Sequence, residues 1–156
     1  MANPNEWGPI LWKIVHICSV NLGKERNSLL QKDQINYYNN FTKQIGFILP
    51  CKVCRKHYYD YALKHKKNVE YDELKEYSIQ YFLNLHNEVN KEKDKPIFTR
   101  DDYYQIYTTY RTSDLNSSIK EFESLFKNYI LYKYISSEVL RDFLLSLQKL
   151  RYSMYL

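Results

Sequence analysis

Apolar side chains recur along the chain at intervals of three and four residues, and no stretch shows the alternation of a half-buried strand. This periodicity predicts an all-α protein. The first helix begins near Asn3 and Pro4, and Gly23 ends it. Further helices are predicted over about Asp33–Leu49, Cys51–His65 and Tyr71–Asn90, from Thr99 onward, and over Ser117–Tyr134 and Ser137–Tyr152.

Composition agrees with this helical pattern and narrows the class of protein. The chain has 156 residues, of which 44% are hydrophobic, with only 3 Gly and 4 Pro. These values suit one domain, or one domain with an appended segment, and few turns. The net charge is a modest +5, and the basic residues are spread along the chain rather than concentrated in a stripe. A nucleic-acid partner is therefore not expected.

The sequence predicts neither a signal peptide nor a membrane span. Residues 1–6 contain no basic region, and Lys13 and His16 interrupt the apolar stretch that follows. No run approaches the roughly 20 apolar residues of a membrane helix. We therefore expect a soluble protein that stays where it is made. Three cysteines exclude a disulfide-dense secreted scaffold, and Cys18 on the apolar stripe is predicted to be a buried thiol.

The strongest chemical signal is the C-x-x-C pair Cys51 and Cys54, which follows Pro50 at a predicted helix start. Such a pair is a redox dithiol or half of a zinc site. Zinc needs about four ligands, and C-x-x-C-x-x-H ending at His57 supplies no nearby fourth, so a redox pair is favoured. Unpaired N–H groups at a helix start stabilise a thiolate. Cys51 is expected to meet an incoming thiol and Cys54 to face the interior.

Two other segments offer groups that would suit a ligand. Gly8, Trp12 and His16 recur every four residues and share one face of the first helix. The second segment places hydrogen-bonding side chains around an apolar patch, which suits a heteroaromatic ring or an adenine and ribose better than a metal ion. It consists of His86, Asn87, Val89 and Asn90. The lysines that follow it, especially Lys93 and Lys95, would suit a pyrophosphate.

Taken together, these segments resemble the Erv/ALR-type FAD-linked sulfhydryl oxidases, most closely the short forms of large cytoplasmic DNA viruses. The resemblance covers about residues 5–110. It rests on W-G-x-x-x-W-x-x-x-H at Trp7–His16, P-C-x-x-C at Pro50–Cys54 and H-N-x-V-N at His86–Asn90, followed by Lys95-Pro96. Each motif alone is weak, and the set in this order is specific.

The resemblance implies a four-helix bundle with a short fifth helix that holds FAD, usually as a homodimer. It implies that Cys54 lies against the flavin and that Cys51 exchanges disulfides with substrate. Electrons would pass from substrate dithiols through the pair to FAD and then to oxygen, giving hydrogen peroxide. The implied cofactor contacts are Gly8, Trp12, His16, His86, Asn87, Val89, Asn90 and Lys95.

The chain departs from the family pattern in three ways. No cysteine follows Cys54, so a second structural disulfide and a terminal shuttle pair are both lacking, and Tyr81 stands where relatives often have Trp. We therefore expect a dithiol protein substrate, or a small shuttle thiol protein, to reach the C-x-x-C pair directly. Residues 1–111 are predicted to form the FAD-binding oxidase domain. Residues 112–156 form a helical extension that would cover the domain, extend a dimer interface or bind the partner.

The predicted function is thus a flavin-dependent thiol oxidase that forms disulfides in a viral pathway, in the host cytoplasm or the virion. Two alternatives belong to other classes. A helical binding module could keep this scaffold without oxidase activity, or a zinc-dependent adaptor could use the cysteines as ligands. A bound flavin would argue against the adaptor, and turnover of a dithiol would argue against the binding module.

Overall fold

The computed structural model describes all 156 residues, Met1–Leu156, and every regular element in it is a helix. The predicted all-α class is therefore confirmed. The seven helices in chain order are α1 (Pro4–Val20), α2 (Ser28–Ile48), α3 (Lys52–Lys64), α4 (Tyr71–Glu92), α5 (Arg100–Tyr107), α6 (Thr112–Leu131) and α7 (Ser137–Ser153).

Helix starts follow the capping chemistry of the sequence. The Asn3 side chain accepts a hydrogen bond from the Asn5 backbone N–H, with Pro4 at the first helical position. Thr99 and Asp102 form a reciprocal capping box at α5, as their spacing predicts. Ser136 caps α7. None of the seven helices has the length and apolar character needed to cross a membrane.

Two helices begin earlier than predicted. α2 starts at Ser28 rather than near Asp33, because the Asn27 side chain caps it. α6 starts at Thr112 rather than Ser117, where the Asp114 carboxylate accepts from the Arg111 backbone N–H. The first turn of α2 is exposed, and α6 opens with three polar residues ahead of the buried Leu115, so no buried apolar stripe marks either start. Only the caps mark these starts.

The C-terminal helices α6 and α7 cover the bundle. α7 packs along α2, and α6 packs along α1. One continuous core of 28 buried residues runs through both parts of the chain. Its fully buried aromatics include Phe41 from α2, Phe122 and Phe126 from α6, and Phe143 from α7. Of the three roles considered for residues 112–156, covering the domain is the one that this packing describes.

Polar contacts fix how the helices meet around this core. The buried Gln34 side chain accepts from the Gly23 N–H and the Tyr71 hydroxyl and donates to the Ser153 carbonyl. It therefore ties α2 to the turn after α1, to α4 and to the end of α7. On α3, the Tyr58 hydroxyl donates to the Thr42 carbonyl of α2. Each bond satisfies a polar group that burial would otherwise penalise.

Candidate active site

A cavity of about 480 Å³ opens between the first turns of α1 and the facing sides of α2, α3 and α4. Its volume lies within the range of small-molecule sites. Apolar side chains supply most of its wall, namely Leu11, Val15, Ile45, Leu49, Phe82 and Leu85. Four of the residues predicted from sequence also line it, namely Gly8, Trp12, Cys54 and Val89. The three motifs thus meet at one cavity.

Cys51 and Cys54 form a disulfide at the start of α3, with their Cα atoms 5.2 Å apart. Cys51 is the N-cap residue, and its Sγ accepts from the Cys54 backbone N–H. Cys51, which is expected to meet an incoming thiol, is only 5% exposed and follows the buried residues Leu49 and Pro50. Cys54 is half-buried and faces the cavity.

Trp12, His16 and His86 form a stack of nearly parallel rings. The ring centroids of Trp12 and His86 are 4.2 Å apart with an interplanar angle of 5°. His16 lies beside both, at 5.4 Å from Trp12 and 5.1 Å from His86. Trp12 therefore presents one part of its ring to the cavity while the histidines support it from behind.

A chain of hydrogen bonds runs through the two histidines to α5. His16 Nε2 lies 2.8 Å from His86 Nδ1, and His16 Nδ1 lies 3.0 Å from the Tyr103 hydroxyl. The same hydroxyl lies 3.3 Å from the His16 carbonyl, to which it can donate. A neutral imidazole has one donor and one acceptor, and the Tyr103 hydroxyl has one proton. All three bonds are therefore made only when His16 carries its proton on Nδ1 and His86 donates from its own Nδ1.

Burial keeps both rings neutral. It lowers the pKa of the fully buried His16 well below its ordinary value, and the neighbouring His86 lowers it further. Burial also lowers the pKa of His86 to about 4, with a smaller contribution from the positive charge of Lys95. Neutral rings stack on Trp12 without the cost of a buried charge.

Acid is expected to destabilise the folded protein through these histidines. Unfolded histidines bind protons below about pH 6.5, whereas the folded rings resist protonation. The free energy of unfolding should thus fall as the pH drops below about 6.5. The fall due to His86 should end near pH 4. Each histidine contributes at most about 1.4 kcal/mol per pH unit. Urea unfolding across this pH range measures the slope.

The variant His16→Gln should have a flatter slope, because glutamine does not titrate. His65→Gln is the matched control, since His65 is exposed at the end of α3 and lies outside the stack. Equal slopes for wild type and His16→Gln would contradict the assignment of this pH dependence to the buried pair.

Asn87 and Asn90 point at the backbone of their own chain. The Asn87 amide donates to the Phe98 carbonyl and accepts from the Phe98 N–H, at 2.8 and 3.0 Å. The Asn90 amide donates to the Pro96 carbonyl at 3.1 Å. Both therefore hold the loop after α4, which carries the exposed Lys95. Neither lines the cavity.

Two features of the cavity fit a bound ring system. A Cβ built on Gly8 meets no atom within 4 Å, so open space lies above this backbone. The indole N–H of Trp7 is buried and has no hydrogen-bond partner, and Trp7 lines the cavity. A flat group with an acceptor at its edge would satisfy this donor. Lys93 at the rim adds positive charge suited to a phosphate.

Sequence reasoning missed some residues around the site. Trp7 also lines the cavity, although it was not among the predicted contacts. Tyr103 carried no signal because its link to His16 spans 87 positions. His57, considered in the sequence only as a zinc ligand, lies 2.9 Å from Glu88 and lines the cavity. His57, Glu88 and Glu92 bring possible metal-ligand atoms within 4.8 Å of one another. The first two residues are on α3 and α4, so only folding brings them together.

The fold and the site define a class, namely an all-helical protein with a C-x-x-C disulfide facing an apolar, cofactor-sized cavity. Residues 9–111 match the Erv1 / Alr family, so the chain belongs to that family. The match ends at the residue before α6. The family resemblance read from the three motifs is therefore confirmed.

Similar curated proteins come from large DNA viruses. A FAD-linked sulfhydryl oxidase of African swine fever virus (isolate Pig/Kenya/KEN-50/1950) is 29% identical over 102 residues, covering 65% of this chain and 79% of that protein. A probable FAD-linked sulfhydryl oxidase, R368, of Acanthamoeba polyphaga mimivirus is 30% identical over 97 residues, covering 62% and 65%. A putative FAD-linked sulfhydryl oxidase of Invertebrate iridescent virus 3 is 28% identical over 105 residues, covering 67% and 68%. No solved structure matches the chain.

Proposed function

We propose that this protein is a FAD-dependent sulfhydryl oxidase that forms disulfides in protein substrates. The observation that carries the proposal is the position of Cys54. In a chain of the Erv1 / Alr family, its sulfur belongs to a closed C-x-x-C disulfide and lines the apolar cavity beside Gly8 and Trp12. The viral relatives named as FAD-linked sulfhydryl oxidases support the same activity.

The cysteines carry the thiol chemistry. A substrate thiolate attacks Sγ of Cys51, a mixed disulfide forms, and Cys54 leaves as a thiolate. A second substrate thiol then attacks the mixed disulfide, which releases oxidised substrate and leaves the pair reduced by two electrons. Cys54 faces the cavity and is therefore the sulfur from which these electrons leave. Because Cys51 is 5% exposed, the turn around Pro50 has to open for the first attack.

The other proposed site residues bind and orient the cofactor. Gly8 leaves room at the cavity wall, Val89 adds an apolar side chain to that wall, and Trp12 offers a flat surface held by His16 and His86. Asn87 and Asn90 act by holding the loop that carries Lys95, whose ammonium would pair with a phosphate. FAD, when bound, would supply the two-electron acceptor for the reduced pair, and oxygen that takes up these two electrons with two protons would become hydrogen peroxide.

The partners and setting are part of the proposal. The substrate is a dithiol protein or a small shuttle thiol protein, and the site of action is the host cytoplasm or the virion, as the viral relatives suggest. Infected-cell fractionation would test that location. The homodimer follows from the family resemblance, and a solution mass near twice 19.0 kDa would support it.

An absorption spectrum of the purified protein tests the activity. We expect flavin bands at about 450 nm that bleach when a dithiol is added without oxygen and recover when air is admitted. Bleaching requires that electrons pass from thiols to the bound chromophore. Recovery in air requires that oxygen takes these electrons from the reduced chromophore. A flavin that does not bleach would indicate a scaffold that has lost oxidase activity. Bound zinc with no flavin would contradict the proposal.

A further inference from the structure

A second concave surface, larger than the cavity, lies on the other side of α3. We call it the α2–α3 groove. It runs between α2, α3 and the start of α4 and has a volume of about 1000 Å³. Its walls include apolar side chains that are more than half exposed, namely Phe47, Tyr59 and Leu63. Exposed apolar side chains that share one concavity are typical of a protein-binding surface.

The charge of the groove has one sign. Its lining contains the positive side chains of Lys43, Arg55, Lys66 and Lys67 but no Asp or Glu. Lys43 and Lys66 make no ion pair, so their charges are free. Lys67 lies 3.9 Å from Glu73, outside the groove, and Arg55 donates to the Leu49 carbonyl. The surface therefore complements a partner that combines apolar and acidic side chains.

One end of the groove lies near the disulfide in the chain, although neither cysteine lines it. α3 forms one wall, with Arg55 at one end and Leu63 towards the other, and Arg55 directly follows Cys54. At a rise of about 1.5 Å per residue, a chain lying along α3 would span these two residues in about 12 Å. Its end at Arg55 would lie about one helical turn from Cys51.

We infer that the α2–α3 groove binds a segment of the dithiol substrate protein. This segment carries acidic and apolar side chains and flanks the reactive cysteine of the substrate. This inference rests on the proposed function and names its substrate class. Because Cys51 is 5% exposed, the turn around it opens only part of the time. A docked substrate keeps its thiol at a high local concentration beside Cys51, so the thiol can react with Cys51 each time the turn opens.

Binding of a redox-inert peptide tests the docking apart from any turnover. The probe is a fluorescent peptide with Ser in place of both cysteines, flanked by Glu, Leu and Phe, and its partner peptide has Lys in place of each Glu. Fluorescence anisotropy should show that the acidic peptide binds the wild type at least about tenfold more tightly than the lysine peptide. The preference should weaken as salt is added.

The double variant Lys43→Glu/Lys66→Glu should weaken binding of the acidic peptide by about tenfold or more. The matched control is Lys120→Glu/Lys149→Glu, which makes the same change in net charge on exposed positions of α6 and α7. Equal weakening by both double variants would reduce the effect to net charge and overturn the inference. Equal binding of the two peptides would do so as well. The groove would instead be assigned to nucleic acid if an oligonucleotide displaced the peptide from the wild type and from the control variant equally.

Turnover of dithiothreitol separates this inference from the proposed function, because so small a dithiol has no segment to dock. If dithiothreitol is oxidised but the acidic peptide does not bind, the docking inference fails and the oxidase stands. If the peptide binds with the predicted preference but no dithiol is oxidised, the groove stands and the oxidase fails.

Discussion

Replacing Cys54 with alanine is expected to lower kcat for dithiol oxidation by at least about 10³-fold, because the remaining sulfur cannot re-form a disulfide within the pair. Cys51→Ala should cost as much, since the two sulfurs act as a unit. Bound flavin should remain in Cys54→Ala, because the change removes a single atom from the cavity wall. Oxygen uptake with dithiothreitol measures turnover, and the visible spectrum measures cofactor content.

Cys18→Ala is the control for these variants. Cys18 is a free thiol, 2% exposed, and burial raises its pKa to about 12, so it is inert. Its replacement should leave turnover within about twofold of the wild type. Wild-type turnover in either Cys51→Ala or Cys54→Ala would exclude the proposed electron path.

Phe143→Ala is expected to destabilise the whole chain by about 3–5 kcal/mol, which corresponds to a fall in Tm of about 10 °C. Phe143 is fully buried on α7 and packs against Phe41 of α2 and Phe122 of α6, with ring centroids 5.7 and 5.0 Å away. Its loss leaves a cavity where the extension meets the bundle. Thermal unfolding followed by circular dichroism at one fixed pH measures the shift.

Tyr152→Ala on the same helix is the matched control, because Tyr152 is 82% exposed and its loss should cost no more than about 0.5 kcal/mol. The pair also tests the predicted division at residue 111. If residues 112–156 folded as a separate unit, Phe143→Ala would give a second, earlier transition and leave the main one in place. A single transition shifted as a whole would contradict an independent extension.

Much of the helical framework could be predicted because its signals are local. Asn3, Thr99 and Ser136 cap their helices through contacts within three residues, and the apolar stripes follow the helical period. Gly23 adopts a φ of +80°, three residues after α1 ends. The start of α2 escaped prediction because Leu29, beside its cap, is 70% exposed and interrupts the pattern.

The identity of a site residue could be predicted where a sequence motif specifies it. The burial and contacts of that residue could not be predicted, because they depend on tertiary packing. The motifs identified Gly8, Trp12, Cys54 and Val89, which meet at the cavity. The burial of Cys51 depends on how the turn at Pro50 seats against the core, and no local pattern reports that. The Tyr103 contact to His16 joins helices 87 residues apart, so sequence spacing gives no sign of it.

The cavity also contains a built-in optical probe. The chain has only two tryptophans, and both Trp7 and Trp12 line this cavity. When tryptophan is excited selectively, the 17 tyrosines contribute little, so nearly all emitted light originates at the cavity wall. Any chromophore that binds there and absorbs in the emission range would quench this fluorescence by energy transfer. Cofactor entry and release can therefore be followed in real time on the unlabelled, unmutated protein.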